Sequence, residues 1–284
     1  MKFDMNRAWG DAVALFKANR EVIAVVAGVF FLLPVFAAGI LFADLIAQAN
    51  LDLAVQLRRL QDSSEFTFTG AIRNHLMLSG TLVLVTLFGI STLLGLLNDR
   101  GRPTLGQALS LAARGIPSLI AAILLFTGAY LLGGFLVGLI SSAFEALLGT
   151  DVVGNLLAIL YLGFMFYAVT RLSMTLPVIV LERILNPAAA FAGSWKLTKG
   201  KALAMFAFYF LLMLAYLAIT WVLTGMALPG LREVLGGGTV GGTAVNLIGG
   251  LVEALVLSLF ACLLASIHRQ LADPAANSLA GKFG

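Results

Sequence analysis

The chain has 284 residues, of which 60% are hydrophobic and 11% charged, with a formal net charge of +4 from 18 Lys and Arg against 14 Asp and Glu. An ordinary soluble domain carries about 25% charged residues. Here stretches of about 20 residues carry no charge at all, so a water-soluble globule, a disordered chain, a disulfide scaffold and a coiled coil are excluded. The single cysteine, Cys262, lies in an apolar run and reads as a small hydrophobe.

The first predicted element is a short amphipathic helix. Trp9, Val13 and Phe16 fall at i, i+4 and i+7, with Lys17 and Arg20 on a neighbouring stripe, the spacing of a helix lying in a bilayer interface. It leads directly into an apolar run over 22–43. The small residues Ala37, Ala38 and Gly39 allow an alternative reading of that run as a cleaved signal sequence. Its length and the amphipathic segment before it favour a retained span. The following acids Asp44, Asp52, Asp62 and Glu65 are widely spaced and share their segment with Arg58 and Arg59, so a solvated helix end is expected rather than a cation or lipid-transferase site.

Further runs occupy 76–97, 116–140, 154–170 with an extension to 181, 202–227 and 247–266. About 20 helical residues cover the roughly 30 Å of hydrocarbon, and helices satisfy every backbone polar group without water. Before the third run, Leu105, Leu109, Ala112 and Ile116 form an apolar stripe beside Arg114, with Thr104 placed to cap it. Gly134 and Gly138 form a GxxxG in that run, next to Gly128 and Gly133, suited to close packing within the chain or between subunits. Pro177 follows Arg171 at the end of the fourth run and predicts a kinked or broken helix end. Before the fifth run, Phe191 and Trp195 are four apart and Lys196 and Lys199 three apart, with Asn186 a good cap and Pro187 suited to the first helical position.

The predicted fold is therefore all-α and polytopic: six transmembrane helices with three interfacial elbow helices. It forms a single integral membrane domain, 1–284, in three units of about 4–102, 103–186 and 187–284, each an elbow followed by a hairpin of spans. With both termini inside, 14 of the 18 cations fall on the inner side; only Arg58, Arg59, Arg73 and Arg232 lie outside. That asymmetry predicts cytoplasmic termini.

The most specific stretch runs from Arg171 and Ser173 through Pro177 and Glu182 to Pro187 and Ala190, then Ser194-Trp195-Lys196-Leu197-Thr198-Lys199-Gly200. It resembles the membrane domain associated with some bacterial glycerophosphoryl diester phosphodiesterases and with related uncharacterised inner-membrane proteins. The likeness implies a multi-pass module of the bacterial inner membrane with no assigned chemistry. In fused members hydrolysis belongs to a separate barrel domain, which is not expected within these 284 residues, so no enzymatic activity is expected.

Arg171 and Glu182 are 11 residues apart, roughly 16 Å along a straight helix, and meet only if the chain bends. One expectation is that Pro177 turns Glu182 back toward Arg171 or Lys199. The other is that Arg171 snorkels to the headgroups and Glu182 faces water. Trp195 reads as an interface anchor. Glu253, inside the last run, must be protonated, paired or facing a wet cavity. Arg232 is its candidate partner, and Gly249 and Gly250 permit close helix approach.

Other chemistry is not indicated. His75 and His268 are the only histidines, no zinc or haem ligand pattern occurs, and no nucleophile elbow or dinucleotide loop is present. No metal, no cofactor and no catalytic residue are expected. The glycine-rich segment 236–242 lacks the Gly-Lys-Ser/Thr end of a phosphate loop and reads as flexible. The basic elbows adjoin spans, so phospholipid rather than nucleic acid is the expected anion.

Three function classes remain. The first is a non-catalytic membrane module binding anionic lipid, a partner protein or a second copy in envelope organisation, through Trp9, Lys17, Arg20, Arg114, Trp195, Lys196 and Lys199. The second is a transporter or channel for a small solute or lipid, using Glu253 and Arg171. The third is an intramembrane lipid enzyme, for which no acid, base and nucleophile set converges.

Overall fold

The computed structural model describes residues 3–61, 69–98, 103–236 and 238–272. Asp62 and Glu65, named above as outer acids, lie outside them, as does the side chain of Arg59. No strand occurs among the described residues, and six helical stretches are long and apolar enough to cross a membrane: Arg20–Leu41, Gly70–Leu96, Leu105–Leu148, Val152–Leu181, Ala202–Val234 and Val240–Ala272. Each expected span is present. The chain is an α-helical multi-pass membrane protein.

In chain order the first helices are α1 (Met5–Ala18), α2 (Arg20–Ala27), α3 (Leu33–Leu41), α4 (Ala43–Gln61), α5 (Gly70–Leu96) and α6 (Leu105–Leu148). They are followed by α7 (Val152–Leu172), α8 (Thr175–Leu181), α9 (Pro187–Leu197), α10 (Ala202–Val222), α11 (Leu228–Val234) and α12 (Thr239–Ala272). Two short π-helical turns, Gly28–Leu32 and Leu223–Ala227, join α2 to α3 and α10 to α11. Each immediately precedes a proline-bearing turn, at Pro34 and Pro229. A proline ring clashes with the carbonyl four residues back, and a widened turn relieves that clash.

The expected elbows differ in form. α1 ends at Ala18 and α9 at Leu197, each a separate helix before its span. The second segment is not separate: α6 runs unbroken for 44 residues through Pro117. Nothing in Arg114-Gly115-Ile116 caps or stops a helix, and an apolar helix tolerates an internal proline when neighbours satisfy the freed carbonyl. Its start is as expected, a capping box in which Thr104 Oγ1 accepts from the Gln107 amide and the Gln107 side chain accepts from the Thr104 amide.

By packing, the chain divides into two compact units along a different line from the three sequence units. The first comprises Met1–Leu15, Leu94–Tyr216 and Cys262–Gly284. Within it, α6 presents a stripe of buried small residues, Ala108, Ala112, Gly115, Ser118 and Ala122, with Leu119 among them. Small side chains let backbones approach where lipid offers no hydrophobic drive to association. Against this stripe sit α8 and α9, with Leu119, Val178, Ile179 and Ala190 forming a common core. α6 and α7 form a hairpin closed by Gly149, whose φ of 64° suits a glycine helix stop. At that hairpin Gly133 is packed tightest under Tyr161, where an added Cβ would lie 2.9 Å from the ring; at Gly134 of the GxxxG it would lie 3.8 Å away, and Gly138 has nothing within 4 Å.

The second unit comprises Phe16–Leu93 and Leu217–Ala261. Phe31 is fully buried, and a Cβ on Gly89 would fall 2.5 Å from its ring, so only glycine fits there. Asn246 Nδ2 donates to the Gly39 carbonyl at 3.2 Å, and a Cβ on Gly250 would meet Leu32 at 3.0 Å. The glycine-rich segment is not all loop: α12 begins at Thr239, so Gly241 and Gly242 are helical. Among the described residues of the segment, Gly236 alone has a positive φ, 88°.

Candidate functional site

The distinctive stretch folds as a turn in the first unit. α7 ends one residue after Arg171. The Ser173 hydroxyl donates to the Thr170 carbonyl at 2.8 Å, and α8 starts at Thr175 with Pro177 in its first turn, where a missing amide proton costs nothing. Met174, Val178 and Ile179 are all buried to within 1%. α8 stops at Leu181 because Arg183 adopts a left-handed φ of 59°, a conformation that costs a non-glycine residue roughly 1–2 kcal/mol. The chain then enters α9 through Asn186, whose Oδ1 accepts from the amides of Ala188 and Ala189 at 3.0 and 3.2 Å, with Pro187 at the first helical position. Gly193 lets α9 lie against Val178, 3.2 Å from where a Cβ would stand.

This return brings α9 onto the end of α7. The Arg171 carbonyl, freed by the helix end, accepts from Ser194 Oγ at 2.7 Å; Thr198 Oγ1, whose shortest contact is the Ser194 carbonyl at 2.8 Å, also stands 3.2 Å from it. The Arg171 guanidinium lies over the Trp195 ring, 4.4 Å from its centroid, and 5.9 Å from that of Tyr167. Tyr167 meets Trp195 edge to face at 5.9 Å. Arg171 is 3% exposed, whereas Trp195 and Tyr167 are 40% and 43% exposed.

The guanidinium has no hydrogen-bond or ion-pair partner among the described residues, and its Nε is buried outright. Desolvating an unpaired charge costs several kcal/mol. A cation over an aromatic ring returns about 0.5–2 kcal/mol, and a cation at a helix C-terminus about 0.3–1 kcal/mol. The site is electrostatically unfinished and positive.

Glu182 does turn back, but to neither expected cation. Its Oε1 is 2.9 Å from His268 Nε2, near the end of α12, and the expected pairing with Arg171 or Lys199 is not made. Arg183 turns the chain at this point, so the carboxylate faces α12 instead of α7. The candidate pairing of Glu253 with Arg232 is not made either. Glu253 is exposed in the second unit and has no hydrogen-bond or ion-pair partner among the described residues, Arg232 included. Because α12 starts early, Glu253 sits 14 residues after Thr239, deeper than the apolar run suggested. Arg171 and Glu253 belong to different units.

The remaining candidates are surface groups. Trp9 is exposed, as are Lys17, Arg20, Arg114, Lys196 and Lys199, and none of these cations enters an ion pair among the described residues. Ser194 is buried in the turn. Sequence reasoning did not single out Tyr167, although an aromatic one turn before an arginine is a usable signal. His268 was missed as a partner because it is 86 residues from Glu182. No cluster of three metal-ligating side chains occurs among the described residues.

Six spans and this buried turn define the class: a helical integral membrane module with a cation held between α7 and α9. Residues 143–268 match the family model described as the membrane domain of glycerophosphoryl diester phosphodiesterase, and this stretch is similar to that membrane domain. The match takes in the whole turn, from Arg171 to Thr198, and reaches His268. No curated protein and no solved structure matches the chain.

Proposed function

We propose that this protein is a non-catalytic, multi-pass module of the bacterial inner membrane that binds anionic phospholipid at its cytoplasmic leaflet in support of envelope organisation. The observation that carries this reading is α9 itself, where a 40%-exposed Trp195 stands beside exposed Lys196 and Lys199, neither of them in an ion pair among the described residues. An amphipathic indole next to free cations fits the headgroup layer. The 14-to-4 asymmetry of cations supports cytoplasmic termini. A non-catalytic role is supported by the state of the hydroxyls nearest Arg171. Ser194 donates to its carbonyl and Thr198 to that of Ser194, which commits them structurally.

Native mass spectrometry of gently solubilised protein tests the reading. Retained phosphatidylglycerol should fall several-fold in the Lys196→Gln/Lys199→Gln variant, and unchanged retention overturns it. Transport is a second reading, favoured by the unpartnered Glu253. Proton-coupled flux into vesicles that vanishes in Glu253→Gln would establish transport in place of scaffolding.

A further inference from the structure

Arg171 is 3% exposed, and among the described residues its Nε has no partner and no carboxylate reaches it. A planar guanidinium stacked on an indole keeps its in-plane donors available, and in-plane donors match phosphate oxygens two at a time. The aromatic rings beneath it are the half-exposed ones, Trp195 and Tyr167. One helical face of α7 leads up to the site: Leu160, Phe164 and Tyr167 are all exposed and stand at the 3-to-4-residue spacing that ends on Arg171.

An apolar track ending at an uncompensated cation has the polarity of a phospholipid. We propose that Arg171 is the phosphate-binding residue for one phospholipid, whose phosphate lies in the guanidinium plane beside Trp195 and whose acyl chain follows the Leu160–Phe164–Tyr167 face. This deepens the proposed lipid-binding role by assigning it a single stoichiometric site, distinct from the diffuse attraction of Lys196 and Lys199. The phosphate supplies the charge that the chain leaves unmatched.

The test uses the full chain in detergent, with phosphatidylglycerol titrated in native mass spectrometry and thermal unfolding followed in parallel. The wild type should retain one tightly held lipid, and the Lys196→Gln/Lys199→Gln variant should keep it while losing weaker adducts. Arg171→Met should weaken the tight adduct at least tenfold. Because that substitution leaves no buried charge behind, its Tm in lipid-free detergent should match or exceed that of the wild type, and its lipid-induced rise in Tm should disappear. Should Arg171→Met fail to fold, Tyr167→Leu reads the same site from the exposed side, and a several-fold loss of the tight adduct is expected.

A Trp9→Phe/Trp221→Phe protein leaves Trp195 as the only tryptophan. Its emission should shift on addition of phosphatidylglycerol and not on addition of millimolar inorganic phosphate. A shift with phosphate alone overturns the assignment to lipid. Unaltered tight binding in Arg171→Met, or in Tyr167→Leu where Arg171→Met does not fold, overturns the site. If the lysine variant abolishes all retention while Arg171→Met abolishes none, the α9 reading stands and this one fails; the reverse pattern leaves this one standing alone.

Discussion

Arg171 and Glu253 are both ionisable side chains within apolar helices, and their surroundings are opposite. Arg171 stands at the end of α7, where the returning α9 covers its side chain with Trp195 and satisfies its carbonyl with the Ser194 hydroxyl. Glu253 stands within α12, with glycines at 249 and 250 and an alanine at 254, and nothing polar pairs with it among the described residues. The contrast shows where a helical membrane chain can house a charge. A helix end exposes backbone acceptors that recruit side chains, while a helix interior has spent its backbone groups and offers only what neighbouring helices bring. The burial of Arg171 is thus a product of the turn, and the exposure of Glu253 a product of uninterrupted helix.

That contrast can be broken experimentally. The largest effect is expected from Met174→Ala, because Met174 is fully buried in the turn and its truncation leaves a cavity. A loss of about 2–5 kcal/mol in unfolding free energy is expected, followed by thermal or denaturant titration in detergent. Next comes Ser194→Ala with Thr198→Val, which removes both hydroxyls beside the Arg171 carbonyl and should cost about 1–3 kcal/mol by the same measurement. Arg183→Gly should move stability upward by about 1 kcal/mol, since glycine removes the left-handed strain that ends α8. The smallest effect is expected at Glu253→Gln, within about 0.5 kcal/mol of the wild type, since no partner is lost. A large destabilisation there would mean that Glu253 is held after all and would erase the distinction.

Much of the architecture was legible because lipid imposes a length rule: runs of about 20 apolar residues mark spans whatever their packing. The caps at Thr104 and Asn186 were legible for a local reason, each bonding within three residues of itself. The unbroken α6 was not, because an internal proline ends some helices and is tolerated in others, and tolerance depends on neighbours distant in sequence. The early start of α12 was hidden by the low helix propensity of glycine, overridden here by close packing such as that of Gly241 against the Arg232 carbonyl. At the site, Arg171, Ser194 and Trp195 stood out as residues, but not the stack they form. The partner of Glu182 was out of reach, because nothing local ties a histidine in the last helix to a carboxylate 86 residues earlier.

The widened turn before Pro34 has a consequence for relatives of this chain. From Ile23, an unbroken repeat of about 3.6 residues would bring later inward positions near 30, 34 and 37. The inward residues are instead Phe31 and Ala38, a slip of about one position, and the Leu33 amide bonds five residues back to the Gly28 carbonyl. The proline and the surplus residue offset each other. A homologue without the proline is therefore expected to be one residue shorter between the counterparts of Ala27 and Ala38, with its aromatic side chain still facing the glycine that corresponds to Gly89.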